Sequence, residues 1–283
     1  MRTTKRLAKR GASLIELLVV VTILALLFGI MLPAMSRSRS ESQKLACINN
    51  QRQIMTVALE YSMADRHSIL GPVHPLADQF TGEGISEYGG GPGTSPFTGW
   101  RQQFGPRTRP LNKIMYGDAS FPIETEPGNA GVFKEYRCPG KDLGFQRIGF
   151  FLPHEVERPY FESNGTSYRM NNLNFSFSDT SLGIYARSHT AIPDTGSTIA
   201  FMEARAFQTL FTNDVNGTIG PLELTSYHDL LGHFVLSYAD GHAAFVDMGN
   251  GTYYPARQQY NLMDRRGTWG QFDTFPEPPV PLQ

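Results

Sequence analysis

Residues 12–35 read ASLIELLVVVTILALLFGIMLPAM, 24 residues carrying one charge, Glu16. As an α-helix this run spans roughly 36 Å, enough to cross a hydrocarbon core of about 30 Å. The preceding MRTTKRLAKR carries Arg2, Lys5, Arg6, Lys9 and Arg10 and no acid. The positive-inside rule then predicts a cytoplasmic amino end with the rest of the chain outside. A secretory signal has a shorter apolar run closed by a small-residue cleavage site. No A-x-A motif follows here; the run leads straight into a polar helical pattern. The plainest reading is a single-span anchor, and it leaves Glu16 unexplained. A carboxylate inside a bilayer costs about 2.5–3.5 kcal/mol on the insertion scale, and such residues usually have a partner.

The stretch Gly11-Ala12-Ser13-Leu14-Ile15-Glu16-Leu17-Leu18-Val19-Val20, with the basic leader before it and Pro33 beyond it, resembles the amino-terminal signature of type IV prepilins and type II secretion pseudopilins. The resemblance implies a prepilin peptidase that cuts between Gly11 and Ala12 on the cytoplasmic side, followed by N-methylation of Ala12. It also implies that Glu16 is the assembly glutamate and Pro33 the helix-kinking proline of a filament core. Ala12 departs from the phenylalanine commoner in that family. The physics beside the resemblance is coherent. A new amine on Ala12 is a cation at the edge of the apolar zone, and Glu16 of an incoming helix offers it a counter-charge. That pair is stronger in low dielectric than at a wet surface, with desolvation working against it. A head-to-tail contact that does not close generates a helical filament.

Beyond Pro33 the helical pattern continues through SRSRSESQKLACINNQRQIMTVALEYSMADRH. Cys47, Gln51, Ile54, Ala58 and Tyr61 follow a 3-4 spacing on one face, flanked by Met55 and Val57, so this half is expected to pack on a globular head. The spacing predicts helix from Ala12 to about Ala64, with a weak point at Pro33. From His67 onward Gly-Pro, Pro-Gly and Asn-Gly pairs interrupt the text. The chain has 28 glycines and 19 prolines, and aromatics at 12% are enough to build a core. TGEGISEYGGGPGTSPFTGW lacks the Gly-Lys-Ser/Thr ending of a phosphate-binding loop and reads as a flexible loop. Strand-like runs cover Gly131–Arg137, Thr166–Met170, Thr198–Glu203, Phe234–Ala239 and His242–Asp247. Asp240-Gly241 between the last two reads as a two-residue type I′ hairpin turn, pairing Ala239 with His242 and Leu236 with Phe245.

The resulting expectation is an α+β fold: a long amino-terminal transmembrane and amphipathic helix packed on a turn-rich antiparallel β head of pilin-like type. Residues 1–11 are the cytoplasmic leader, 12–35 the transmembrane helix, 36–65 the amphipathic continuation, 66–275 the head and 276–283 a proline-rich tail. The hairpin and the fragments Tyr136-Arg137-Cys138-Pro139 and Thr166–Asn171 also resemble parts of large pilin-like proteins, with low specificity.

Lys plus Arg is 25 against 26 Asp plus Glu, which excludes the bulk basic surface of a nucleic-acid binder. Two cysteines are too few for a disulfide scaffold or, by themselves, for a zinc site. Cys47 and Cys138 either bridge helix to head, worth about 4–5 kcal/mol by the chain-entropy argument before strain, or remain buried thiols. His228, His233, Asp240 and His242 are metal-ligand types. In the expected hairpin His233 and His242 stand roughly 20 Å apart, so they read as a turn aspartate and edge histidines, with no metal site expected. A calcium site of Asp and backbone oxygens stays open as an alternative, with no EF-hand spacing to support it. Asp194-Thr195-Gly196-Ser197 matches an aspartic-protease tetrapeptide in a single copy, whereas that chemistry needs two carboxylates; it reads as a turn. Asn164, Asn174, Asn216 and Asn250 begin formal glycosylation sequons, three of them Asn-Gly turns.

The reading is therefore a non-enzymatic, cofactor-free subunit of a type IV pilus or type II secretion pseudopilus. It is anchored by a single pass in the bacterial inner membrane with its head in the periplasm or on the surface. Its expected partners are the prepilin peptidase, other pilin or pseudopilin subunits, the inner-membrane assembly machinery and the lipid bilayer. The alternative is a membrane-tethered binding protein or metalloenzyme that uses the helix only as an anchor.

Overall fold

The computed structural model describes residues 14–72, 88–91, 105–117, 133–142, 159–171, 184, 188–192, 194–196, 198–206 and 225–247. The expectations for Gly11, Ala12 and the tail 276–283 lie outside these residues. The chain divides into two compact units, residues 1–42 and 43–283.

In the first unit the described residues belong to helix α1 (Leu14–Ala64), whose later turns enter the second. Its amino-terminal stretch is long and apolar enough to cross a membrane, with none of that window buried. Leu14, Ile30 and Leu32 are among the large side chains exposed there. The hydroxyls do not disturb an apolar setting: Thr22 donates back to the carbonyl of Leu18 at 2.8 Å, and Ser36 to that of Pro33 at 2.9 Å. Such back-bonding satisfies a polar group within the helix itself.

In the second unit a four-stranded antiparallel sheet runs β1 (Tyr168–Met170), β2 (Ile199–Glu203), β3 (His233–Tyr238), β4 (Ala243–Asp247), in sequence order. The chain is thus α+β, a long apolar amino-terminal helix followed by a small antiparallel sheet. The later turns of α1 bury Cys47, Gln51, Ile54, Met55, Ala58 and Ser62, the stripe that the 3-4 spacing marks out, while Tyr61 is half-buried. This stripe shares one core with Tyr168, Met170, Phe201 and Val235 from the sheet. Gln51 donates to the carbonyl of Val235 at 2.8 Å, and the Lys44 ammonium lies over the Phe245 ring at 5.1 Å. Two short helices, α2 (Pro110–Tyr116) and α3 (Tyr160–Asn164), and two 3₁₀ turns, Lys134–Tyr136 and His189–Ala191, complete the described elements.

Three expectations are corrected. Gly131–Arg137 is not a strand in its described part, because Lys134–Tyr136 form a 3₁₀ turn. The turn lets Phe133 and Tyr136, three apart, both enter the core. The glycine-rich stretch is not a free loop where described. Tyr88, Gly89, Gly90 and Gly91 are buried, and Asn112 brackets Gly90 by accepting from its N–H and donating to its carbonyl, each at 2.7 Å.

The third correction concerns the hairpin register, which is off by one. Leu236 pairs with Ala244 and Val235 with Phe245. The loop has three residues: the Gly241 N–H donates to Tyr238 O, and Tyr238 N–H to His242 O, both at 2.9 Å. Among the described residues only Ser68 and Asp229 are non-glycines with positive φ, whereas Gly241 has φ +100°. Asp240 therefore fails the type I′ requirement, and the geometry is a tight turn closed by a left-handed glycine bulge. One residue of slip moves Phe245 to the face shared with Val235 instead of Leu236. Stacked rings of Tyr238 and His242, 4.2 Å apart, close the strand ends.

Asp142 ties α3 to the sheet. Its carboxylate accepts the N–H groups of Tyr160 (3.0 Å) and Phe161 (2.9 Å) and the Ser167 hydroxyl (2.5 Å), all buried. Burial pushes its carboxyl above the usual range, against the lowering effect of these bonds. Asp142→Ala strands two buried N–H groups and a hydroxyl, so head stability should fall by about 2–4 kcal/mol. Urea denaturation followed by tyrosine fluorescence measures this, with Asp142→Asn falling less.

Candidate functional site

Three segments converge on α1. Cys47 comes from the buried stripe of that helix. Cys138 follows the 3₁₀ turn and is held by α1 side chains: Asn50 donates to the carbonyls of Lys134 (3.2 Å) and Arg137 (3.0 Å), and Gln43 to that of Pro139 (2.9 Å). Glu203 ends β2, opposite Tyr168. His228 lies in the turn 225–231 that precedes β3. The Cys138 segment can abut that turn because residue 140 is glycine. A Cβ there would collide with the carbonyl of Tyr227, which instead accepts the Lys141 N–H at 2.7 Å. Lys141 and Asp229 join the same segments outside, in an exposed ion pair at 2.6 Å.

The four side chains meet in a closed interior. The Cys47 and Cys138 sulfurs are 2.7 Å apart. Cys138 Sγ lies 3.6 Å from His228 Nε2, which is 3.3 Å from Glu203 Oε1. Cys47 Sγ is 3.9 Å from that same oxygen and 3.2 Å from the Tyr168 hydroxyl. Glu203 also accepts the N–H groups of Val235 and Tyr227, both at 3.3 Å. Cys47 and Glu203 are wholly buried, with Cys138 at 1% and His228 at 6% exposure.

Electrostatics divides the two thiols. Burial pushes Cys47 up, reinforced by its contact with Cys138. Burial would also raise Cys138, but its hydrogen bonds with Cys47 and His228 outweigh that and bring it below its ordinary value. Burial would lower His228, yet Cys138 and Glu203 prevail and lift it to about 10. The Cys138 sulfur thus faces a His228 ring that Glu203 holds from its other side. A thiolate nucleophile needs substrate access, and Cys138 is only 1% exposed.

The expected residues separate into two groups. Cys47 and Cys138 are brought together. Asp240 and His242 pair with each other at the hairpin tip (2.6 Å), and His233 faces Asp247 at 3.7 Å. His228 is not an edge histidine; it is interior. Asp194–Gly196 form a turn, the Gly196 N–H donating to the Asp194 carboxylate at 3.1 Å. Asn164 closes α3, followed by a left-handed Gly165. Glu16 lies in the first turn of α1 and Pro33 inside the helix. Sequence reasoning missed Glu203, although a carboxylate closing the apolar strand IAFME was its signal. No family model matches the chain, and no curated protein or solved structure matches it either.

Proposed function

We propose that the chain is a processed structural subunit of a type IV pilus or type II secretion pseudopilus. Its amino-terminal helix serves as membrane anchor before assembly and as filament core after it, and its head is non-catalytic and lies outside the inner membrane. The observation that carries this reading is the bare apolar length of α1 with a carboxylate in its first turn. So large an apolar surface demands lipid or neighbouring helices, and a carboxylate in the first turn of such a helix is costly to place in a membrane without a function for it. The basic leader, Gly11 and the spacing to Glu16 and Pro33 supply the rest of the argument.

Processing is the direct test. Co-expression with a prepilin peptidase should remove residues 1–11 and leave Ala12 at the amino terminus, as read by intact-mass spectrometry. Gly11→Val should leave the leader in place. An uncut wild-type chain beside a peptidase active on a control prepilin overturns the reading.

A further inference from the structure

We propose that Cys47, Cys138, Glu203 and His228 form a closed, four-coordinate structural site for one divalent zinc ion. These four offer two sulfurs, one imidazole nitrogen and one carboxylate oxygen, all within 4.8 Å of one another and all buried. The inference is independent of how the amino-terminal helix is used.

The spacings carry the argument. With zinc bonds of about 2.3 Å to sulfur, 2.05 Å to nitrogen and 2.1 Å to oxygen, a tetrahedron has edges of about 3.4 Å for N···O, 3.55 Å for S···N and 3.6 Å for S···O. The corresponding separations are 3.3 Å for His228–Glu203, 3.6 Å for Cys138–His228 and 3.9 Å for Cys47–Glu203. The sulfurs, 2.7 Å apart, must spread by about 1 Å to reach a tetrahedral edge of about 3.75 Å. A disulfide would need the two sulfurs alone; it gives no reason for a wholly buried carboxylate and an imidazole to converge on the same point. Mixed sulfur and nitrogen donors in a tetrahedral arrangement suit zinc. Four protein ligands with no open position mark a structural site.

The surroundings are those of an oriented metal site. The Tyr168 hydroxyl can donate to Cys47 Sγ (3.2 Å), and the Val235 and Tyr227 N–H groups hold Glu203; such outer partners fix ligand geometry. Binding involves no redox change. Zinc takes both cysteines as thiolates and His228 as a neutral imidazole, so whatever protons these groups carry pass to solvent as the zinc bonds form. The ion would fasten α1, the Cys138 segment, β2 and the turn before β3 at a single point.

The test uses the full chain in detergent, reduced with a phosphine, stripped with chelator and titrated with cobalt(II) chloride. The expected result is one equivalent bound, with the visible bands of tetrahedral cobalt and a near-ultraviolet thiolate-to-cobalt charge-transfer band. Zinc should bleach both. Glu203→Gln and His228→Gln should weaken cobalt binding at least about tenfold, whereas Asp240→Asn, at the exposed hairpin tip, should not. The wild-type titration decides the matter even where a variant folds poorly. Absence of stoichiometric binding, or binding without the charge-transfer band, overturns the site. So does a linked Cys47–Cys138 peptide in protein alkylated before cell lysis, which would make the disulfide the native state.

Discussion

Glu16→Leu is expected to leave the protein inserted and cut, yet to remove it from filaments. The substitution makes α1 more apolar, so membrane insertion is at least as favourable as before. The cut site at Gly11–Ala12 is unchanged. What disappears is the carboxylate proposed to meet the Ala12 amine of a neighbouring subunit, and that neighbour's cation would then enter an apolar core without a counter-charge, at a cost of several kcal/mol. One such defect per subunit recurs at every step of a helical assembly. Sheared surface fractions and membrane fractions, blotted in parallel, should show the variant in the membrane and absent from the filaments. Equal amounts of variant and wild type in sheared filaments would favour the anchor-only alternative.

Glu203→Ala should produce a large loss of head stability. It removes the carboxylate that the buried His228 ring faces and orphans the N–H groups of Val235 and Tyr227. Breaking a buried charge pair from one side costs about 3–5 kcal/mol. Glu203→Gln keeps an acceptor and the volume, so its loss should be clearly smaller. Urea midpoints in detergent with a fixed metal content compare the two. Equal destabilisation by Ala and Gln would mean that the charge, rather than the hydrogen bonding, dominates.

The long-range plan of α1 was legible because it is written in local periodicity. An unbroken apolar run and a stripe through Cys47, Gln51, Ile54 and Ala58 need no knowledge of what covers them. The runs that become β2, β3 and β4 were legible for the same reason, through alternating or continuous aromatic and aliphatic residues between turns. The hairpin register was not, because Asp-Gly serves two turn geometries that differ in whether the aspartate or only the glycine takes positive φ. Phe133–Tyr136 misled because two aromatics three apart fit a 3₁₀ turn as well as a strand. The buried cluster was hidden by distance. Cys47 is 91 residues from Cys138 and 156 from Glu203, and Cys138 is 90 from His228. No short motif spans such separations; tertiary packing alone assembles them.

The bond from Gln51 to Val235 closes a gap of 184 residues, and that gap sets a timetable. The helix is made first, and the strand that covers its stripe is made late. At a synthesis rate of about 5–20 residues per second, Ile54, Met55 and Ala58 wait roughly 10–40 s before β3 exists to receive them. For that interval the stripe lacks the strand that covers it. Tyr168 and Phe201 of the sheet also come more than a hundred residues after the stripe, while Leu70 and Tyr88 of the same core come sooner. A holding chaperone would shield the stripe over that time, and its removal should lower the amount of full-length protein through proteolysis.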